Sequence, residues 1–317
     1  MQYDSDPAYI AGIDIGGTNT RCAIASLHEP TRLLAHWTER TQNPENLPQF
    51  LEFIGRGLRS CLADAQLPLN ALVALGCASP GIINDEGLVL TASNLGWHNV
   101  PLATLLEEHT GLATVVENDV RAAALAEHLH GAGKGRTSLV YFTISTGVST
   151  GIILNGKPVR GYRHAAGEIA RFLPDSSHVG GDWEPNGCLE LTAGGVGLAR
   201  SWAALTGDPN STATAADVFA FARAGNTDAI ALVNRAATYL AQAAVAISAL
   251  LDPEILVLGG SIAQHEAPIA ARIREVMAET LLFPPEVSLA ALGGDAPLMG
   301  ALLMASEHAT NSAKLSL

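Results

Sequence analysis

The chain has 317 residues, 48% of them apolar and only 15% charged, a balance that supports buried cores and excludes an intrinsically disordered protein. That length exceeds what a single core usually serves, so two domains are expected. A net charge of −13 argues against a nucleic-acid footprint and against docking on anionic membranes, so any phosphate site must rely on local donors and metal.

Tyr9–Ile13 and Cys22–Ala25 read as strands around Asp14-Ile15-Gly16-Gly17-Thr18-Asn19-Thr20, a tight glycine turn. Glycines there permit positive φ and let an anionic group approach the backbone N–H donors. Asp14 ends the first strand, which sets a carboxylate beside a possible phosphate seat. Two like charges that close make chemical sense with a metal ion between them, the pattern of a phosphoryl-transfer site. Downstream, Leu47–Leu67 has helical spacing, with Phe50, Leu51, Ile54, Leu58 and Leu62 on one face. Ala71–Cys77 is a short apolar strand ending in the turn Ala78-Ser79-Pro80-Gly81, Leu102–His109 a short helix, and Ala113–Val116 a strand. A helix then runs from Asn118-Asp119 through Leu129, ended by the glycine-rich Gly131–Gly135.

The second half repeats the order. Ser138–Ser145 runs into Thr146-Gly147-Val148-Ser149-Thr150-Gly151 and then Ile152-Ile153-Leu154, again strand, glycine and hydroxyl turn, strand. After an irregular polar segment come helices from Leu189, Ala215 and Thr227, and the strand Glu254–Leu258 entering Gly259-Gly260-Ser261. A helix from Ala267, a strand Glu286–Ala291 and a terminal helix Pro297–Ser306 complete the chain. Strands alternating with helices predict an α/β fold with mixed sheets. One glycine hairpin is commonplace; two, each opening a half of similar size, point to duplicated domains that grip one ligand from both sides.

Cys22, Cys61, Cys77 and Cys188 form no C-x-x-C pair and read as reduced thiols of a cytosolic protein. The polar, acidic N-terminus does not read as a signal peptide. Ile230–Leu251 is apolar but alanine-rich and broken by Asn234, Arg235 and Gln242, which suits a buried core helix better than a membrane span. Gly131–Arg136 resembles a phosphate loop but lacks the Walker spacing and the Ser or Thr after Lys134.

Glu117-Asn118-Asp119 lies where a strand hands over to a helix. Asn or Asp there can cap the helix, but two capping-type residues in a row leave one surplus, and Asp119 is the candidate general base for an alcohol nucleophile. Gly167-Glu168 and Gly187-Cys188-Leu189-Glu190 bracket a polar loop. Glu190 opens a helix, where a carboxylate suits the dipole; Glu168 lies in a stretch without helical periodicity. Both are candidate ligands for sugar hydroxyls, and Ser93-Asn94-Leu95-Gly96-Trp97 adds an amide and an aromatic near a turn.

In this order the segments resemble the ROK (repressor, ORF, kinase) sugar kinases of the actin/hexokinase-like ATPase superfamily. The resemblance rests on Asp14–Asn19, Pro80-Gly81, Asn94-Leu95, Glu117-Asn118-Asp119, Ser145–Gly151, Gly167-Glu168, Gly187–Glu190 and Leu258-Gly259-Gly260-Ser261. It implies a two-lobed actin-like (ribonuclease H-like) α/β fold of duplicated mixed β-sheet domains with a central cleft. The smaller N-terminal lobe would span 1–118 and take in the terminal helix at about 297–310, and the larger C-terminal lobe would span 119–296. It further implies a cytoplasmic enzyme, usually a homodimer, that transfers the ATP γ-phosphate to a sugar hydroxyl, usually on C6, with Mg²⁺. Asp119 would deprotonate that hydroxyl; Asn94, Asn118, Glu168 and Glu190 would bind the others. The phosphates would lie on Asp14, Gly16, Gly17, Thr18 and Asn19 and on Thr146 and Gly147, Asp14 would hold Mg²⁺ through water, and Gly259 and Gly260 would border the adenosine.

The departures are as specific. Most ROK proteins carry a structural zinc site, a His three residues after the Glu followed by Cys-x-Cys-Gly-x-x-Gly-Cys-x-Glu. Here those positions hold Arg171, Gly181 and Trp183, and only Cys188 remains. One thiolate cannot make a tetrahedral site, so no zinc is expected. The lost His commonly touches the sugar, so Arg171 either binds substrate or pairs with Glu168. The first strand begins near residue 9, which leaves no room for the helix-turn-helix of the family's repressors. The expected function is therefore an ATP-dependent hexose kinase for glucose, fructose, N-acetylmannosamine or N-acetylglucosamine. A non-catalytic sugar sensor is the alternative.

Overall fold

The computed structural model describes residues 8–208 and 210–315, with side chains through 312. The chain separates into two compact units, Met1–Ala126 with Arg160–Ala165 and Asp295–Leu317, and Glu127–Val159 with Ala166–Gly294. The boundary between Ala126 and Glu127 falls within a helix. Asp119 therefore stays with Asn118, and the strap Arg160–Ala165 joins the first unit because Glu117 and Arg121 hold it there.

The first unit opens with the hairpin β1 (Tyr9–Ile15) and β2 (Asn19–Ser26), followed by β3 (Glu29–Arg40) and the helix α1 (Leu47–Asp64). Asn46 caps α1 by accepting from the N–H of Gln49. Of the five residues its spacing placed on one face, the helix buries Phe50, Ile54, Leu58 and Leu62 and leaves Leu51 half-buried, and it also buries Phe53 and Cys61. Then come β4 (Leu72–Ser79), β5 (Ile82–Ile83), β6 (Val89–Ala92), β7 (Trp97–Val100), α2 (Leu102–Thr110), β8 (Thr114–Asn118) and α3 (Asp119–His130). The main sheet runs β3-β2-β1-β4-β8, with an antiparallel β1–β2–β3 meander and β4 and β8 parallel to β1. β5, β6 and β7 form a small antiparallel sheet.

The second unit contains β9 (Leu139–Ile144), β10 (Val148–Leu154), β11 (Lys157–Pro158), α4 (Cys188–Ala193), α5 (Gly195–Thr206), α6 (Ala215–Arg223), α7 (Thr227–Leu251), β12 (Ile255–Gly259), α8 (Ser261–His265), α9 (Ala267–Thr280) and β13 (Glu286–Leu289). Its sheet runs β11-β10-β9-β12-β13, with β10 antiparallel to β9, and β12 and β13 parallel to it. The expected duplication is visible in this order: each sheet is an antiparallel hairpin continued by two parallel strands. Among the described residues α7 alone is long and apolar enough, by length and composition, to cross a membrane. Half of that stretch is buried, and Ala236, Leu240 and Ala244 belong to the same core as Phe142 of β9 and Leu256 of β12.

The last helix, α10 (Ala296–Leu315), returns to the first unit. Alternate residues of a strand face opposite sides. Ala11, Ile13 and Ile15 accordingly join the core that contains α1, whereas Ile10 joins Leu298, Leu302 and Ala305 of α10. The approach is close: a Cβ on Gly76 would lie 1.9 Å from the carbonyl oxygen of Ala301, and one on Gly12 2.7 Å from Leu302 Cγ.

Candidate active site

In the first hairpin the turn residues Gly17, Thr18 and Asn19 are exposed, while Asp14 is buried. The N–H of Gly16 donates to the Asn19 carbonyl at 2.9 Å, and the Thr41 hydroxyl donates to the Gly16 carbonyl at 2.5 Å. Neither Gly16 nor Gly17 takes a positive φ. The positive φ that glycine permits is not used here; Gly16 is needed for space, because a Cβ would lie 2.6 Å from the Asn19 carbonyl oxygen. Counting outward from the turn pairs Asp14 of β1 with Arg21 of β2. Arg21 donates to Asp14 Oδ2 from Nε at 2.9 Å and from an η nitrogen at 2.6 Å, and its other η nitrogen reaches Asp295 at 2.9 Å. Burial raises the Asp14 carboxyl above the usual carboxylate range, and Arg21 opposes that shift. Arg21 was not picked out in the sequence, although the mirror position of the hairpin identifies it.

Asn94 is exposed on a one-turn helix ended by Gly96 at φ 69°, close enough to the first hairpin that a Cβ on Gly17 would sit 3.6 Å from its amide nitrogen. The neighbouring aromatic belongs to the core of the first unit. Trp97 is 2% exposed, stacks edge-on against Phe50 and donates its indole N–H to the Pro44 carbonyl.

At the start of α3, Asn118 Oδ1 accepts from the N–H groups of Val120 and Arg121, and its amide nitrogen donates to the Gly81 carbonyl, each at 3.0 Å. Asn118 is therefore the cap and also ties down the Pro80-Gly81 turn. Asp119 follows the cap, and its Oδ1 accepts from the N–H of Val120 at 2.9 Å. Behind them Glu117, 4% exposed, accepts from Arg121 Nε at 2.7 Å and from Arg160 Nε at 2.8 Å, and Arg121 donates to the carbonyls of His164 and Ile83. A buried carboxylate with two guanidinium partners fixes the register of the strand end that presents Asn118 and Asp119.

In the second unit β10 positions both remaining carboxylates. Val148 and Thr150 share a face of that strand and are both buried. The N–H of Val148 donates to Glu190 Oε2 at 3.0 Å, and a Cβ on Gly147 would lie 2.3 Å from the same oxygen. Thr150 donates to the Gly167 carbonyl from its hydroxyl at 2.9 Å and from its N–H at 3.0 Å, which anchors the residue before Glu168. Gly167 has φ 96°, and a Cβ there would lie 2.1 Å from the Thr150 carbonyl oxygen, so only glycine serves. The exposed Thr146 and the half-buried Gly147 form the turn, against which the N–H groups of Gly195 and Val196, opening α5, donate to the carbonyls of Ser145 and Thr146. Gly259 and Gly260 lie against β9, where Cβ atoms would approach Tyr141 Oη at 2.1 Å and the Ile144 carbonyl oxygen at 2.4 Å. Ser145 and Ser261 bring their hydroxyls to 3.0 Å, which links the turn to this glycine pair.

Arg171 forms its ion pair with Glu184 rather than Glu168. Its η nitrogens donate to the two carboxylate oxygens at 2.6 and 3.1 Å and to the Pro185 carbonyl at 3.2 Å. Glu184 lies 13 residues on, in a loop whose path has no sequence signature. Hydrogen bonding to Arg171 holds the Glu184 carboxyl below its usual range.

Among the described residues no group of three or more His, Cys, Asp or Glu side chains could hold a metal ion. A nucleotide-bound Mg²⁺ asks for less, one or two carboxylates with phosphate oxygens completing the shell, and Asp14, whose Oδ2 is held by Arg21, is the candidate carboxylate for it. The glycine-rich turn after α3 is filled by its own helix: Glu127, fully buried, accepts from the N–H groups of Ala132, Ala291 and Leu292.

The sequence pattern of the ROK family matches residues 10–308. Across 93% of its length the chain is 31% identical to a glucokinase of Halalkalibacterium halodurans, covering 94% of that protein. Across 93% it is also 34% identical to an N-acetylmannosamine kinase of Shigella flexneri, covering 98% of that one. A ROK hexokinase from Thermus thermophilus superposes with a TM-score of 0.79 at 29% identity, over 96% of this chain and 99% of that chain. A ROK family glucokinase from Streptomyces griseus, crystallised with glucose and AMPPNP, gives 0.77 at 26% identity over 95% and 100%. Sheet order, site segments and a match over nearly the whole length agree, and the chain belongs to the ROK family.

Proposed function

We propose that this protein is an ATP-dependent sugar kinase acting on the C6 hydroxyl of a hexose. The observation that carries the reading is the double use of β10, which holds Glu190 through the N–H of Val148 and anchors Glu168 through Thr150 and Gly167. Two candidate hydroxyl-binding carboxylates are thus built onto the strand that leaves a candidate phosphate turn. In this reading Asp119 takes the proton of the attacking hydroxyl, and Asn94, Asn118, Glu168 and Glu190 orient the sugar. The Gly16–Asn19 and Thr146–Gly147 turns offer backbone N–H groups to the phosphates, and Gly259 and Gly260 border the adenosine. Mg²⁺ held through water by Asp14 would neutralise charge on the β- and γ-phosphates.

The relatives named glucokinase and N-acetylmannosamine kinase support glucose and N-acetylmannosamine as first substrates to try, with fructose and N-acetylglucosamine beside them. The same reading extends to a cytoplasmic homodimer with no nucleic-acid partner, which the acidic charge favours. Arg171 enters it as a support of the loop, since its guanidinium is engaged by Glu184 and Pro185.

The test is consumption of Mg-ATP by the full-length protein against this panel of sugars. Sugar-dependent ADP release is expected for at least one hexose. Thermal stabilisation by a sugar without any turnover would replace the kinase reading with that of a sensor.

A further inference from the structure

Residues 180–186 are exposed except for Trp183, so burial contributes little to their order. Polar ties do the ordering. Arg171 clamps both oxygens of Glu184 and the Pro185 carbonyl. Trp183 donates its indole N–H to the His178 carbonyl at 2.9 Å and meets the His178 ring edge-on, which in turn meets Tyr239. The N–H of Gly187 donates to the Trp183 carbonyl at 2.6 Å.

Between these ties stands Asn186, whose amide nitrogen donates to Glu190 Oε1 at 2.6 Å. The other oxygen of Glu190 accepts from Val148. One carboxylate is therefore gripped on one side by the loop and on the other by the Gly147-Val148 turn. A carboxylate offers about four acceptor positions, so the two bonds leave room for ligand hydroxyls while fixing where they must come. A glutamate held in this way need not be ordered by its ligand, which saves rotamer entropy on binding.

We infer that Asn186 is a positioning residue, mounted on the Arg171–Glu184 pair, that sets the Glu190 carboxylate against the phosphate turn and so joins sugar side and turn in one hydrogen-bonded unit. The inference rests on the proposed reading of Glu190 as a sugar ligand.

Steady-state kinetics of the full-length enzyme test it, with Asn186→Ala, Asn186→Asp, Arg171→Ala, Glu184→Ala and the exchange Arg171→Glu with Glu184→Arg. Asn186→Ala raises KM for the sugar about tenfold and lowers kcat by less, as expected for loss of one hydrogen bond to a charged group. Arg171→Ala and Glu184→Ala move KM in the same direction, and the exchange returns most of the loss. Asn186→Asp sets a second carboxylate against Glu190; its larger defect shrinks as the pH is lowered and one of the two takes up a proton. A wild-type KM in Asn186→Ala, or an exchange no better than its single parents, overturns the inference while the kinase reading stands. A wild type that phosphorylates no sugar in the same assay defeats both.

Discussion

Arg21 and Asp14 face each other across the first hairpin, and two nitrogens of the one guanidinium converge on a single oxygen, Oδ2, of the carboxylate. Asp14 is thus held in one orientation by a residue directly opposite in the strand register. Asp295 fixes Arg21 from the other side, from the turn that opens α10. Arg21→Ala should cost about 3 kcal/mol of stability, because it leaves a buried carboxylate unpaired, and denaturant unfolding measures it. Arg21→Lys keeps the charge but not the two-nitrogen grip, and kcat/KM is expected to fall roughly tenfold.

The pH response of Asp14 has a defined sign. Burial raises its carboxyl above the unfolded value, so the folded state favours the protonated form, and that stability is lost as pH rises through the raised pKa. Asp14→Asn should therefore not lower Tm at neutral pH, since Arg21 retains Asp295, while Mg-ATP turnover disappears. The wild type should show an acid limb of kcat/KM above the ordinary carboxylate range. A limb unchanged between wild type and Asp14→Asn would assign it to another group.

Asp119→Asn removes the candidate base and preserves the shape of the helix start. Turnover should drop about 10²–10⁴-fold, while the sugar Kd, read by calorimetry, changes by less than about threefold. Retained turnover would refute the role given to Asp119.

Glu117→Gln targets the support of that helix start rather than its chemistry. The substitution leaves Arg121, 3% exposed, without its compensating charge, at a cost of roughly 3–5 kcal/mol. Urea unfolding gives the value; a loss below about 1 kcal/mol would mean that the carbonyls of His164 and Ile83 suffice for Arg121.

All four cysteines are buried, and burial pushes the Cys61 thiol up to about 12 and the Cys22 and Cys77 thiols above their usual range. The thiolate is the reactive form. Ellman's reagent should therefore label the native protein only at the rate at which it opens, and rapid labelling at neutral pH would contradict the burial.

Some of this was legible in the sequence and some was not, for physical reasons. The hairpins and α1 were, because their apolar residues recur at the period of the element that buries them. β3 was not: of its twelve residues only Ala35 is buried, so Glu29–Arg40 lacks a buried apolar face. α5 was obscured by Gly195 and Gly197 in its first turn; a Cβ on Gly197 would lie 2.5 Å from the backbone of Leu191. The carboxylates Asp14, Asp119, Glu168 and Glu190 were singled out by their places beside turns and helix starts. What the sequence did not disclose was who holds them, since Arg21, Thr150 and Asn186 act through pairings that exist only once strands are in register and the loop has closed. Arg171 illustrates the limit, because Glu168 was the nearer carboxylate in sequence and Glu184 is its partner in space.

The return of α10 to the first unit has a consequence for biosynthesis. The sheet face formed by Ile10, Ala23, Ala25 and Ala74 is wholly buried only because Leu298, Leu302 and Ala305 cover it. That helix follows the entire second unit in the chain. During translation the first unit therefore emerges with one side of its sheet bare and waits, unsealed, until the second has been made. An apolar face left open for that interval is what holdase chaperones bind, and nascent chains stalled just short of α10 should be their preferred clients.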